Sequence, residues 1–336
     1  MTGSGHGALV GLAYGDSVGW PALWQRSRLM PAWTRRRARE LMAFADQQQL
    51  TDPVVPFGLN VTPTALLPGP GDVTDWVADT WQGAASGLGV DEIWGRRLAR
   101  ADDLSGRISV MVALDAMARD GAANGGHNPH GHDDLAALRS IGYAAALGPD
   151  AQAFIEQDAV ITNHGDGLAA ARLLGSLVLD GPDALTDPTR WGADPNGRLA
   201  LQWGELRGLA DAAPEPWSLT LAIAQRLDAV YSYADLAGDT VPAALAFVRW
   251  ALTHPEHPGS SLPTLVGAAT GLVRQAGSVP ALVGGVLGAW RGVEAVPTGW
   301  HAALRPSGCS IPWVAGISLS GEDCAHPSQP AKEDDQ

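Results

Sequence analysis

The chain has 336 residues, 46% of them hydrophobic and 17% charged, a composition that supports a globular protein with a layered core and excludes a disordered one. Its formal net charge is −14 and Lys332 is its one lysine, which argues against nucleic acid as a partner because phosphate binding needs a basic footprint. No run reaches the ~18 apolar residues of a membrane helix, no basic leader opens the chain, and the two cysteines, Cys309 and Cys324, are too few for a disulfide framework. These features lead us to expect no membrane contact and a reducing, cytoplasmic setting, with a local disulfide left open.

The first ordered stretch runs from Gly7 to Gly19. Gly7, Ala8, Gly11, Gly15 and Gly19 recur at helical spacing, and Leu9, Val10, Leu12 and Ala13 make the rest apolar almost all round, so the stretch reads as a buried helix. It carries one carboxylate, Asp16, which cannot lie in an apolar core without a cation or several donors. Asp16 is therefore either a structural anchor or a ligand at a pocket floor. Residues 21–49 have a helix-compatible pattern, and the run Arg35-Arg36-Arg37 with Arg39 reads as a solvated helix face. Residues 51–71, rich in proline and glycine, read as an irregular loop.

From Asp75 onward alanine- and leucine-rich helical patterns dominate, over 91–100, 108–119, 134–147, 151–160, 167–179, 219–236, 241–253, 262–275 and 279–292. No strand alternation is present. The expected architecture is all-α, a single compact domain over 1–324 with a frayed tail over 325–336. Three histidines and two aspartates crowd residues 127–134. Such spacing can hold Zn²⁺, but a solvated polar loop is the plainer reading.

The opening stretch resembles the start of the ADP-ribosylglycohydrolase family, Gly-x-x-x-Gly-x-x-x-Gly-Asp-x-x-Gly on a central helix. Later segments follow in family order. Trp76-Val-Ala-Asp-Thr80 resembles the aromatic and Thr-Asp-Asp-Thr that hold magnesium at a helix start, with Asp79 and Thr80 matching its second half; a second register puts Thr74 and Asp75 on its first half. Asp133 to Arg139 resembles Gly-Asn-Gly-Ala-Ala-Met-Arg, with Asp134 inside its altered polar half, and Thr162 to Asp166, with His164 and Asp166, resembles a segment opening another pocket-facing helix. Val279 to Gly292, followed by Glu294 to Pro297 and Trp300, closely resembles the family's late helix.

The departures matter as much. Where the family has Gly-Gly-Asp-Thr-Asp-Thr before the late helix, this chain has Val273-Arg-Gln-Ala-Gly-Ser278, and Leu23 stands where a glutamate is expected. Gly238-Asp-Thr240 is not the lost motif, because the helix after it matches an earlier family segment. Two magnesium ions about 4 Å apart need several carboxylates around them, so the resemblance without its ligands implies no standard dinuclear magnesium centre and no metal cofactor.

What the resemblance implies is an ADP-ribose-like small-molecule ligand in a cleft. Asp79 or Asp16 is then the candidate general base, and Trp76, Thr80, Asp134, His164, Asp166, Arg274, Gln275 and Ser278 are candidate ligand contacts. Trp20, Trp24, Trp76 and Trp81 lie beside the motifs, either to stack on a base or to plug the space left by missing ions. Two readings stand: a metal-independent enzyme on a ribosyl or other glycosyl-like substrate, and a pseudoenzyme that binds without turnover. A third, a repurposed biosynthetic enzyme, has no sequence feature of its own.

Overall fold

The opening apolar stretch is part of α1 (Gly3–Arg28), and it lies antiparallel against α12 (Val279–Arg291). The two helices meet backbone to backbone. A Cβ on Gly11 would lie 2.2 Å from the carbonyl oxygen of Gly284, and one on Gly7 would lie 2.2 Å from that of Gly288. Only glycine permits this approach, which is why the small residues recur one helical turn apart on both strands of the sequence.

In the computed structural model, residues 3–28, 69–185, 191–227, 235–272 and 274–319 are described. The Arg35–Arg39 cluster, Leu23's surroundings, most of the proline-rich loop, Cys324 and the tail over 325–336 lie outside the described residues or side chains.

After α1 come α2 (Asp72–Ala85), α3 (Val90–Ala99), α4 (Ile108–Asp120), α5 (Leu135–Leu147), α6 (Ala151–Thr162) and α7 (Gly165–Asp180). Then follow α8 (Arg198–Ala212), α9 (Pro216–Ala224), α10 (Ala237–Thr253), α11 (Leu262–Ala269) and α12. The fold is all-α. Among the described residues no strand forms, and the one β-type pairing is an isolated antiparallel bridge between Asp133 and Leu236.

Around the α1–α12 pair, α12 also packs on α10 and α11, while α5 joins α1, α2, α6 and α7. One continuous apolar core results, in which Trp76, Trp81, Trp94 and Trp250 are fully buried. Burial of such rings is the main stabilising term, roughly 25 cal/mol for each Å² of apolar surface removed from water.

Three expectations are corrected. α8 was absent from the sequence reading, although Leu199, Trp203, Leu206 and Ala210 form a buried stripe at helical spacing; Gly204 and Gly208 inside it weaken the local signal. The helix expected over 219–236 starts earlier, on Pro216 at its first turn, and ends at Ala224 in a turn. The helix expected over 262–275 ends at Ala269, and turns or bends follow over 270–272 and 274–278, because Gly271 and Gly277 interrupt it.

Candidate functional site

Asp16 projects from α1 to the start of α2. Its Oδ2 accepts hydrogen bonds from the Gly71 and Thr74 backbone N–H groups, both at 2.9 Å, and from the Thr74 hydroxyl at 2.7 Å. A carboxylate from one helix thus caps the N-terminus of another, where free N–H groups and the helix dipole favour negative charge. Its Oδ1 is buried and accepts no hydrogen bond from the described residues. Burial pushes the Asp16 carboxyl up to about 7, and Asp72 adds to the rise while the Thr74 and Gly71 donors oppose it.

Thr74 and the neighbouring Asp75 therefore sit at the helix start beside Asp16, the place that the second register assigns to the motif. Asp75 is spoken for as well. Its carboxylate accepts the Gly308 N–H at 3.0 Å and the Ser310 N–H at 2.9 Å, so the segment after residue 304 straps across the start of α2. Burial raises the Asp75 pKa against the pull of these donors.

Asp79 and Thr80 lie one turn further along α2, in a different setting. Asp79 is fully buried between two guanidinium groups: Arg96 reaches its Oδ1 at 2.5 Å and Arg97 its Oδ2 at 2.8 Å, while the Trp313 indole donates to Oδ1 at 2.7 Å. Arg97 also donates to the Thr80 hydroxyl at 2.8 Å and lies 3.5 Å from Asp158. Asp158 binds Arg139 at 2.7 Å, and Arg139 reaches the Thr162 hydroxyl at 2.9 Å. Trp94 lies beneath both guanidiniums, with centroid distances of 4.8 Å to Arg97 and 5.4 Å to Arg139. Burial works against the Arg97 charge, but Asp79 and Asp158 more than offset it and hold its pKa above the usual arginine value.

This geometry makes Asp79 and Thr80 members of an ionic core and not an exposed base and ligand. Trp76 is likewise enclosed. Its indole donates to the Ser105 carbonyl at 3.2 Å, and Gly106 lies against its ring.

A third cluster forms where several helices begin. Asp134 is the residue before α5, Ser278 the one before α12, and Arg107 the one before α4. The Arg107 guanidinium pairs with the buried Asp134 carboxylate, donates to the Ser278 hydroxyl at 2.8 Å and comes within 3.8 Å of Asp235. Next to it Asp133 accepts from the Ser109 hydroxyl and, at 3.1 Å, from the Leu135 N–H. The Asp133 pKa is raised by burial, with Arg107 opposing.

The fourth segment joins here. The Asn163 side chain donates to the Asp133 carbonyl at 2.8 Å, and the His164 N–H donates to the Gly131 carbonyl at 2.9 Å. The His164 ring stands edge-on to His132, with centroids 4.2 Å apart, and burial followed by His164 lowers the His132 pKa. Asp166 turns away to accept the Leu199 N–H at 3.2 Å near the start of α8. Arg274 is half-buried in the turn before α12 and engages other groups; Gln275 is buried in the same turn.

The structure thus links all five motif segments. The first meets the second through Asp16 and Thr74, and the fifth through Gly15 and Pro280; the third meets the fourth through Asn163 and the fifth through Arg107. It buries Asp79 among arginines and turns the half-buried Asp166 to the start of α8. Among the described residues, no three histidine, cysteine or acidic side chains are placed to hold a metal ion.

A cavity of about 160 Å³ opens beside the third segment, lined by Ile108, Ser109, His132, Asp133, Asp235 and Leu236 among others. Cys309 is a free thiol on the strap, and no described helix is long and apolar enough to cross a membrane.

Arg107, Arg96, Arg97 and Asp158 were missed by the sequence reading. Arg96, Arg97 and Asp158 look like ordinary helix surface charge and Arg107 like a loop charge, and only residues distant in the chain reveal them as partners of buried groups.

The family model of the ADP-ribosylglycohydrolases matches residues 4–323. Among solved structures, one described as an ADP-ribosylglycohydrolase-related protein complex aligns with a TM-score of 0.55 at 21% identity, covering 90% of this chain and 92% of that one. A search of curated proteins finds no match.

Proposed function

Given that the chain belongs to the ADP-ribosylglycohydrolase family, we propose that it is a metal-independent member that binds a ribosyl- or ADP-ribosyl-like small molecule without hydrolysing it. The observation that carries this reading is the fate of the motif carboxylates. Asp75 is taken by backbone donors of the strap, Asp79 by Arg96 and Arg97, and Asp134 by Arg107.

The donor set does not fit two magnesium ions. Mg²⁺ wants near-octahedral oxygen ligands, and closely spaced dications need carboxylates with free lone pairs. Here the turn before α12 offers Gln275 and Ser278 but no carboxylate, and a guanidinium already faces Asp134.

The ligand position we favour is the cavity beside Asp133. At about 160 Å³ it is smaller than the ~300–1,000 Å³ of pockets that enclose drug-sized ligands, so it suits a single sugar ring better than a whole dinucleotide. Ile108 and Leu236 would cover an apolar face of the ring, and Asp133, Asp235 and His132 would accept its hydroxyls. The reducing, cytoplasmic setting is part of the same reading, supported by a cysteine count too low for a disulfide framework.

Thermal unfolding of the metal-free protein with Mg²⁺, ribose 5-phosphate, ADP-ribose and their combinations tests the proposal. A ligand at a hundred times its Kd stabilises by about 2.7 kcal/mol, so binding shows as a raised midpoint. The expected result is a rise with a ribosyl ligand, no further rise with Mg²⁺, and no released product. Hydrolysis that requires Mg²⁺ overturns it.

A second reading, a metal-free hydrolase, has one observation in its favour. The Asp16 Oδ1 is buried without a partner among the described residues, and a carboxyl held near 7 is matched to general-base work at neutral pH. Chelator-insensitive turnover of an ADP-ribosyl substrate that disappears in Asp16→Asn would establish it over the binding role.

A further inference from the structure

Arg107 stands where three motif-bearing turns meet. Asp134 and Ser278 each occupy the residue before a helix, the position where aspartate and serine side chains ordinarily bond the first free N–H groups. Neither does so. The side chains of Asp134 and Ser278 make no capping bond to α5 or α12, and both turn to the same guanidinium. The Asp134 carboxylate is fully buried and, among the described residues, accepts no hydrogen bond from any other donor. A buried carboxylate without N–H partners needs a cation beside it, because isolated charge in the interior is prohibitively costly. The Arg107 side chain is itself only 10% exposed, with Asp235 as its second acidic neighbour.

We propose that the Arg107 guanidinium is the resident cation of this centre, so that the protein carries covalently the positive charge that oxygen ligands of this kind would otherwise draw from a bound divalent ion. The proposal rests on the reading of the preceding subsection that no metal centre is built. It adds a specific consequence: two carboxylates and a hydroxyl around one charge form a hard-cation donor set, and removal of the guanidinium opens that set to a metal. Arg107 is a positioning residue in this account. It ties the turns before α5 and α12 together and fixes the wall of the neighbouring cavity through Ile108 and Ser109.

The experiment compares the wild type, Arg107→Ala, Arg107→Met, Arg107→Lys and the double variant Arg107→Ala/Asp134→Asn by thermal unfolding, in EDTA and across a titration of Mg²⁺ or Mn²⁺. The wild type is expected to be indifferent to the ion. Arg107→Ala is expected to unfold at a lower temperature in EDTA and to recover along a saturable curve as Mn²⁺ is added. The double variant is expected to lose that recovery, because the carboxylate that would hold the ion is gone. Arg107→Lys retains a charge and is expected to stay insensitive to metal. It also serves as the folded reference if Arg107→Ala does not accumulate, since its midpoint should then fall less than that of Arg107→Met.

Recovery of Arg107→Ala by Mn²⁺ that survives Asp134→Asn overturns the inference, as does an Arg107→Lys variant no better than Arg107→Met. A wild type raised by Mg²⁺ overturns both this inference and the metal-free reading, whereas an indifferent wild type with an unrescued Arg107→Ala removes the inference alone.

Discussion

The α1–α12 seam and the Arg97–Arg139 cluster are both fully enclosed, yet they are built from opposite materials. At Gly7, Gly11, Gly284 and Gly288 the seam has no side chains between its helices; its stability there is dispersion between backbones brought within glycine distance, and it is indifferent to pH and salt. The cluster consists almost entirely of functional groups, two aspartates and two arginines on tryptophan faces, whose pairing offsets their desolvation only while every partner is present. The seam retains the family's glycine pattern, and the cluster joins Asp79, Thr80 and Arg139, which match family motifs, to Arg97 and Asp158, which lie in no motif segment. The two regions draw on different atoms: backbone in one, charged side chains from distant segments in the other.

The largest expected effect falls on the seam. Gly11→Val or Gly284→Val would push a side chain into a carbonyl about 2 Å away, and no flexible neighbour can yield; the expected outcome is loss of the folded protein, checked by soluble yield and circular dichroism. Next comes the cluster. Arg97→Met leaves Asp79 and Asp158 under-compensated and is expected to cost on the order of 3–5 kcal/mol in urea unfolding. A double variant, Arg97→Met with Asp79→Asn, should recover part of that loss, since the interaction energy of neighbouring groups is not additive.

How much of this the sequence shows depends on distance along the chain. The seam is legible because its signal is local: glycines four apart on an apolar helix define a face without reference to any partner. Asp16 was legible for the same reason, as the one charge in an apolar run. The cluster was not. Arg96 and Arg97 sit in a short polar helix whose acidic start and basic end match ordinary dipole complementation, and nothing nearby distinguishes a buried guanidinium from a solvated one. Asp79 attracted the role of base because it fits one register of a motif; the choice between registers depends on which residue lies beside Asp16, a contact between residues far apart in sequence.

A smaller effect, dependent on pH, separates the two kinds of buried carboxylate. Asp16 is held at about 7, above the ordinary value of 3.8, so the native state retains a proton that the unfolded chain releases. Stability from this group is fully present at pH below about 4 and declines as pH rises to about 7. Asp16→Asn keeps an acceptor for Thr74 and Gly71 but does not titrate. Its stability relative to the wild type is expected to increase across that window, by up to a few kcal/mol, as measured by urea unfolding at a series of pH values.

The smallest expected effect is local. Asp75→Asn weakens the acceptor for the Gly308 and Ser310 N–H groups, and those two amides should exchange with deuterium faster while the helices on either side of the seam keep their protection. Uniformly faster exchange would mean that the strap supports the whole fold and is not a separate cover.

The seam also sets an order of events for the nascent chain. Gly11 finds its partner at Gly284, close to the far end of the folded region, so α1 cannot dock until almost all of the rest has been made. At ~5–20 residues per second, an apolar glycine-rich helix waits on the order of ten to fifty seconds for its groove. Contacts of such long range slow folding and leave sticky surface exposed meanwhile. A chaperone that shields the first helix during synthesis should therefore raise the yield of this protein more than one acting on the finished chain.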